Sequence, residues 1–373
     1  MRNADGAKSL DREFYIDASL FEQEREKLFF KNWMMVGRTS DLFAGTMPTQ
    51  TAMRAIEFMG LPLVLMRTEY GQFRGYHNIC RHRGAVMVSS SDGCVDKGTI
   101  TCPYHAWRYD SRGRLIGAPN MSDVESFDRA DYGLVEVYVA EKGGFLFVNL
   151  TEQCESVDLW LQPLERHFFM WSLADLVTAG EIQYDLPANW KLLFENYNEC
   201  YHCPVIHPAL NRLTPYRSAD NDLTEGPILG GPMIFADGIE TMSHDGVRVA
   251  DLLPNLNSIE QRRVYYFTVF PTFFLSLHPD FVMVHRIEAV SCQRTRVVCQ
   301  FLFHPQSASQ AAFDPRPVVE FWDLTNVQDW EVCQRVQLGL NSPYFKTGPL
   351  ANLESVVAAF DRYYLSALGR YQH

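Results

Sequence analysis

The chain has 373 residues, 47% hydrophobic and 21% charged, enough apolar material for two domains or for one large core with an appended module. Its formal net charge of −12 offers phosphates no concentrated basic face, which argues against nucleic-acid binding. No run of about 18 apolar residues exists and the first residues lack the pattern of a secretion signal, so the expected location is the cytoplasm, with no membrane partner. Nine cysteines in such a reducing compartment are expected to stay thiols or bind metal rather than form a disulfide frame.

Three regions are read in chain order. Residues 1–32 begin polar and become a charged helical segment (16–31), expected to pack with the catalytic part of the chain. Residues 33–150 read as all-β. Short strand-like runs at 62–66, 99–102 and 145–148 are punctuated by turn signals at Tyr70-Gly71, Ser91-Asp92-Gly93, Asp110 to Gly113 and Gly143-Gly144. Residues 151–373 mix helical stretches (158–172, 190–201, 318–340, 355–368) with strand-like runs (264–269, 273–276, 281–287, 296–303). That pattern implies an antiparallel sheet with helices laid on one face, an α+β architecture.

The β-rich region holds the first chemical constellation. Cys80-Arg81-His82 and Cys102-Pro103-Tyr104-His105 each offer a thiolate and an imidazole where a strand gives way to a loop. Four such ligands suit a closed structural zinc site. They equally suit a 2Fe–2S centre with two Cys on one iron and two His on the other.

The second constellation lies in Glu199-Cys200-Tyr201-His202-Cys203-Pro204-Val205-Ile206-His207. Two histidines five apart sit about 140° from each other on an ideal helix and could not easily share a metal there. Pro204 lacks an N–H and clashes with the carbonyl four residues back, so the helix must break and can swing His207 towards His202. Two histidines and a carboxylate with open positions form the ligand set of non-haem iron(II) oxygenases. Asp329 is the candidate carboxylate. On a helix over 318–340, Trp322, Cys333, Val336 and Leu340 fall within about 40° of it, whereas Glu320, Asp323 and Glu331 lie about 120° or more away. A lone carboxylate in an apolar stripe is costly unless it is paired or bound to metal.

Both constellations, with their flanks, resemble the Rieske non-haem iron oxygenases, closest to the choline-, carnitine- and betaine-oxidising and ring-hydroxylating groups. The resemblance rests on Cys80-Arg-His82-Arg-Gly84, Cys102-Pro-Tyr-His105-Ala-Trp107, Asn189-Trp190-Lys191 leading to the 199–207 segment, and Gln328-Asp329 through Gln337-Leu-Gly339. It runs from about Phe14 to the C-terminus. Residues 83–101 between the Rieske halves are a few more than usual, and the surplus is assigned to a hairpin tip at 89–96, where insertions cost little.

The resemblance implies an N-terminal Rieske domain with a 2Fe–2S cluster on Cys80, His82, Cys102 and His105. It also implies a helix-grip (START-like) catalytic domain with mononuclear iron on His202, His207 and Asp329. A separate reductase, with or without a ferredoxin, would draw on NADH or NADPH and pass electrons through the cluster to the iron, where O2 is activated. A head-to-tail homotrimer, or a multiple of it, would place one subunit's cluster beside the next subunit's iron. Glu199 would bridge the two centres in electron transfer. Relatives acting on aromatic rings carry Asp there, and relatives acting on choline- and carnitine-like substrates carry Glu. The implied reaction is therefore monooxygenation and N-demethylation of an alkylammonium compound, with ring dioxygenation or a non-enzymatic electron carrier as alternatives.

Other residues receive blander readings. Cys200 and Cys203 have the spacing of a C-x-x-C redox pair but within this motif are expected to be helix-packing thiols, His278, His285 and His304 structural or pocket-lining, and Tyr265, Tyr266, Phe267, Phe270, Phe273 and Phe274 mainly core.

Overall fold

A computed structural model describes residues 6–89, 94–95 and 98–370. The turn at Ser91 to Gly93 and most of the 89–96 tip lie outside the described residues. The chain forms two compact units, one made of the residues up to 34 together with those from 158 onward, the other of residues 35–157. No described helix is long and apolar enough to cross a membrane.

The 35–157 unit is built on antiparallel strands. β1 (Met34–Arg38), β2 (Ala52–Phe58), β3 (Leu61–Arg67), β4 (Phe73–His77), β5 (Cys94–Val95), β9 (Glu136–Lys142) and β10 (Phe145–Asn149) make a sheet of order β1-β10-β9-β4-β3-β2-β5. A smaller sheet joins β6 (Thr99–Thr101), β7 (Arg108–Asp110) and β8 (Leu115–Gly117). One core cluster gathers Val64, Met66, Tyr76, Trp107 and Tyr109 around Cys80 and Cys102. The apolar runs of β3 and β10 are thus explained by burial, and the two cysteines are fixed from behind.

The larger unit holds a six-stranded antiparallel sheet of order β11-β16-β15-β14-β13-β12: β11 (Val177–Leu186), β12 (Ile228–Ile234), β13 (Arg263–Val269), β14 (Phe273–Leu277), β15 (Val282–Ser291) and β16 (Arg294–Phe303). The helix Trp190–Tyr197 packs against both the long helix Arg316–Leu340 and the C-terminal helix Ser355–Leu368. Antiparallel sheet and packed helices give the α+β class the sequence implied.

Residues 6–34 pack within this unit through polar anchors. Asp17 caps the helix Ala18–Glu24, accepting from the Ser19 and Leu20 amides at 2.7 and 3.2 Å. Arg12 Nε donates to the Leu340 carbonyl at 2.6 Å, and Tyr15 Oη donates to Glu195 at 2.7 Å. The Asn189-Trp190-Lys191 motif finds its structural reason here. Asn189 caps its helix through the Lys191 amide, while Trp190 Nε1 and Lys191 Nζ reach Glu24 at 2.9 and 2.6 Å. Lys191 and Glu24 are 0% and 1% exposed, and Tyr364 also donates to Glu24.

Two expected elements differ. The stretch 158–172 is not one helix but three short turns, Val157–Trp160, Gln162–Leu164 and Glu165–Met170. Pro163 explains the break, because it cannot extend a preceding α-helix. The helix from Trp190 ends at Tyr197, not Tyr201. Glu199 and His202 therefore lie in a turn, and the polypeptide becomes helical again only at Cys203–Ile206 and Pro208–Leu213.

Candidate active site

The two Cys–His loops of the smaller unit have matching backbones. In each, the amide four residues after the cysteine returns to the cysteine carbonyl: Gly84 N to Cys80 O at 2.9 Å, Ala106 N to Cys102 O at 3.1 Å. Both fourth residues are left-handed, Gly84 at φ 71° and Ala106 at φ 56°. That conformation is natural for glycine and strained for alanine. The turns bury Cys80 and Cys102 (3% and 2% exposed) and turn His82 and His105 outward. The two Nδ1 atoms converge to 3.2 Å. Trp107 stacks on His82 with ring centroids 4.8 Å apart, and the Tyr109 hydroxyl meets Cys80 Sγ at 3.5 Å. Two buried sulfurs beneath two convergent imidazoles can hold a Cys₂His₂ centre.

In the larger unit, His202, His207 and Asp329 come together, with one ligand atom of each within 4.8 Å of the others. They are the one such group of His, Cys, Asp or Glu among the described residues. Asp329 Oδ1 lies 2.7 Å from His207 Nε2 and 3.3 Å from His202 Nε2. The opposite nitrogens are engaged elsewhere: His202 Nδ1 with Glu199 Oε1 at 2.5 Å, His207 Nδ1 with Gln328 Oε1 at 2.7 Å. Each imidazole is thus oriented through Nδ1 and presents Nε2 to a common point beside a carboxylate, as metal-binding histidines are. The donor set fits a mononuclear iron with open positions.

The charges agree with this geometry. Burial alone would push the Asp329 carboxyl up, but the flanking His202 and His207 outweigh it and hold it down at about 2. Burial would lower the His202 imidazole, but Asp329 and Glu199 outweigh it and raise it to about 10. Before a metal enters, the pocket therefore stores a proton on His202, held between two carboxylates.

Asp329 lies on the helix Arg316–Leu340 with Trp322, Cys333 and Leu340 buried as expected, but Val336 is 43% exposed, which corrects the apolar stripe at that position. The stripe is narrower towards the C-terminal end because Gln337, not Val336, is turned inward to accept from the Asn189 amide at 2.8 Å. Glu320 and Glu331 face water, whereas Asp323 is half-buried and accepts from Tyr184 Oη at 2.8 Å.

Cys200 and Cys203 are joined by a disulfide, with Cα atoms 5.0 Å apart, which corrects their reading as separate packing thiols. The helix stops at Tyr197, so the two are not held in helical geometry and their sulfurs can meet. His278 and His285 are fully buried. His285 Nε2 faces Asn326 Oδ1 at 3.3 Å, and the His304 side chain caps the helix Pro305–Ala308.

A cavity of about 110 Å³ opens beside the three convergent residues. Tyr197, Tyr201, Tyr216, Tyr266, Trp322 and Trp330 supply aromatic surface, and Asn196, Asn198, Asn221, Asn326 and Asn352 supply amides. Of the aromatic strand residues singled out in sequence, Tyr266 alone lines it, and the others pack away from it. No Lys or Arg is among the described residues lining the cavity. Asn198 Nδ2 and Tyr266 Oη are buried there without a hydrogen-bond partner among the described residues. Gln328 and the amide lining were not singled out from sequence. The place of Gln328 next to Asp329 was the one available signal.

Comparison with known proteins places these geometries. The Rieske [2Fe-2S] domain family matches residues 32–128, and the ring hydroxylating alpha subunit (catalytic domain) family matches residues 173–370. The chain is 30% identical to the glycine betaine monooxygenase oxygenase subunit of Chromohalobacter salexigens, across 94% of this chain and 83% of that protein. It is 36% identical to the carnitine monooxygenase oxygenase subunit of Acinetobacter baumannii, across 56% of this chain and 54% of that protein. The solved quaternary ammonium Rieske monooxygenase CntA, in complex with an inhibitor, superposes with a TM-score of 0.80 at 26% identity, over 99% of this chain and 97% of that one. The two family matches imply a Rieske cluster in the first matched region and a mononuclear iron in the second. The chain belongs to the Rieske-type ring-hydroxylating oxygenases, as an oxygenase (alpha) subunit, and is an oxidoreductase.

Proposed function

We propose that the protein monooxygenates an N-methyl group of a small alkylammonium compound, choline- or betaine-like, and releases formaldehyde. The cavity lining carries the reading: six Tyr and Trp rings and no Lys or Arg among the described residues favour a cation, because ring faces attract quaternary ammonium groups. The unpaired donors of Asn198 and Tyr266 favour a substrate that also bears an acceptor, such as a carboxylate or hydroxyl. A plain aromatic ring would leave both unmatched. The substrates named for the relatives point the same way.

In this reading Cys80, His82, Cys102 and His105 hold the cluster, and His202, His207 and Asp329 hold the iron. The cluster supplies electrons one at a time, and the iron supplies O2 activation. The protein's part is orientation and exclusion of water. Glu199 and Gln328 fix the imidazoles, Tyr266 and Trp322 hold the cation, and the amides of Asn198 and its neighbours hold the polar tail. Glu199 bridges the two centres across a head-to-tail trimer, and a separate reductase, drawing on NADH or NADPH, supplies the electrons. In the overall balance, R₃N⁺–CH₃, O2, two electrons and one proton give R₃N, formaldehyde and water.

The test is single turnover with a chemically reduced cluster, which removes dependence on the reductase. Trimethylammonium compounds with and without a carboxylate are compared with monocyclic aromatics. One formaldehyde per substrate oxidised is expected from the trimethylammonium set. Ring diols without formaldehyde from any N-methyl compound would overturn the reading.

A further inference from the structure

The turn Cys200-Tyr201-His202-Cys203 carries chemistry that the oxygenation does not use. Its disulfide closes between two residues that both line the cavity, with the candidate iron ligand His202 inside the ring and Glu199 immediately before it. We propose that Cys200 and Cys203 form a reversible thiol–disulfide site that reduces hydrogen peroxide in this cavity, and that its closed form staples the turn presenting His202 and Glu199.

Three observations carry this. A ring closed between residues three apart constrains the unfolded chain little, so stabilisation of the fold is a poor reason for the bond. The two residues, both at the cavity wall, differ in exposure: Cys200 is half-buried, while Cys203 is 4% exposed. That asymmetry assigns Cys200 to meet a small oxidant first and Cys203 to resolve it. Cys299 and Cys333, by contrast, are fully buried outside the cavity lining. Location supplies the oxidant, since two-electron reduction of O2 that does not end in substrate oxidation yields hydrogen peroxide beside these sulfurs.

The step balances. The Cys200 sulfur attacks one peroxide oxygen; an S–O bond forms, the O–O bond breaks, and one water leaves with the thiol proton. The Cys203 sulfur then attacks the resulting sulfenic acid; the S–S bond forms, the S–O bond breaks, and a second water leaves. Two thiols are oxidised by two electrons and one peroxide is reduced to two waters; two equivalents of a small external thiol return the pair to the dithiol by exchange, themselves leaving as a disulfide.

Holoenzyme reduced with a thiol reagent and desalted without oxygen is given one equivalent of hydrogen peroxide, then denatured, alkylated and digested. The tryptic peptide 192–212 is expected to lose two hydrogens and take no label, while Cys333 is labelled fully. Two labels on 192–212 after peroxide would overturn the proposal. Cys203→Ser is expected to trap a dimedone adduct on Cys200, and Cys200→Ser to give about tenfold less on Cys203. Equal yields would overturn the assigned order. Because the wild-type measurement stands alone, a variant that fails to fold does not shelter the idea. Chelator extraction of mononuclear iron is expected to be about tenfold faster from the dithiol than from the disulfide form, the size of effect that neighbours of ligands exert. Equal rates would overturn the stapling.

Discussion

Replacing Glu199 by Gln separates two roles that one carboxylate is asked to fill. Glu199 Oε1 sits 2.5 Å from His202 Nδ1, and Oε2 accepts from the Tyr201 and His202 amides, so the side chain is held from three directions. Gln has the same length and its amide oxygen can still accept, so the fold of the turn is expected to survive. The charge is what goes. Losing a carboxylate behind a ligating imidazole typically lowers metal affinity about 10- to 100-fold, or about 1.4–2.7 kcal/mol. Iron(II) titration of the chelated enzyme, with the cluster left in place, measures this directly. At saturating iron the second role becomes visible. Pre-reduced cluster, substrate and O2 are mixed, and cluster reoxidation is followed by absorbance. If Glu199 bridges the centres, reoxidation slows although both metals are present. Weakened iron binding with wild-type reoxidation at saturation would refute the bridge and leave an orienting role. Wild-type behaviour in both measurements would refute the whole argument from the His202 contact.

Asp329→Ala should lose the mononuclear iron and turnover while keeping the cluster spectrum, since Asp329 pairs with His202 and His207 and the cluster candidates are a separate ligand set; retained iron with normal oxygenation would remove Asp329 from the ligand set. The raised His202 group has a pH consequence. Its contribution to the metal-free fold is full below 6.5 and is lost as pH rises through about 10, so iron(II) entering between pH 7 and 9 should displace about one proton. Calorimetry in buffers of different ionisation enthalpy reads this, and binding without proton release would contradict it. Asp329 works in the opposite sense: held down at about 2, it adds stability above 3.8 that fades as pH falls through about 2. Lys191→Met strands Glu24 without its cation in a fully buried site and should destabilise the catalytic unit by about 3–5 kcal/mol in denaturant unfolding. The double variant with Glu24→Gln should recover much of that loss, and no recovery would mean that packing, not charge, is what Lys191 supplies.

The sequence by itself determined what is encoded within one turn or along one regular helix. Each Cys–His pair of the β-rich unit sits inside a single loop, so its chemistry is readable from spacing of two or three residues. Asp329 was legible because the helix Arg316–Leu340 is long and regular, and 100° steps carry its phase reliably from Trp322 to Cys333. The same arithmetic overreached at Val336, where a neighbouring polar contact to Gln337 decided the facing. Tertiary structure alone decided the rest. Helix propensity did not reveal that the helix from Trp190 stops at Tyr197, because the stop depends on side chains that arrive from elsewhere, such as Thr268 donating to Asn198 Oδ1 at 2.9 Å. The disulfide, the Gln328 contact to His207 and the Glu24–Lys191 pair join side chains whose partnership is set by packing rather than periodicity. The cavity is assembled from segments around 197–203, 216–233, 266, 322–330 and 352–355, which no local pattern links. A sequence pattern reports what each residue does to its own backbone; which distant donors and rings share a cavity is fixed only when sheet and helices close around it.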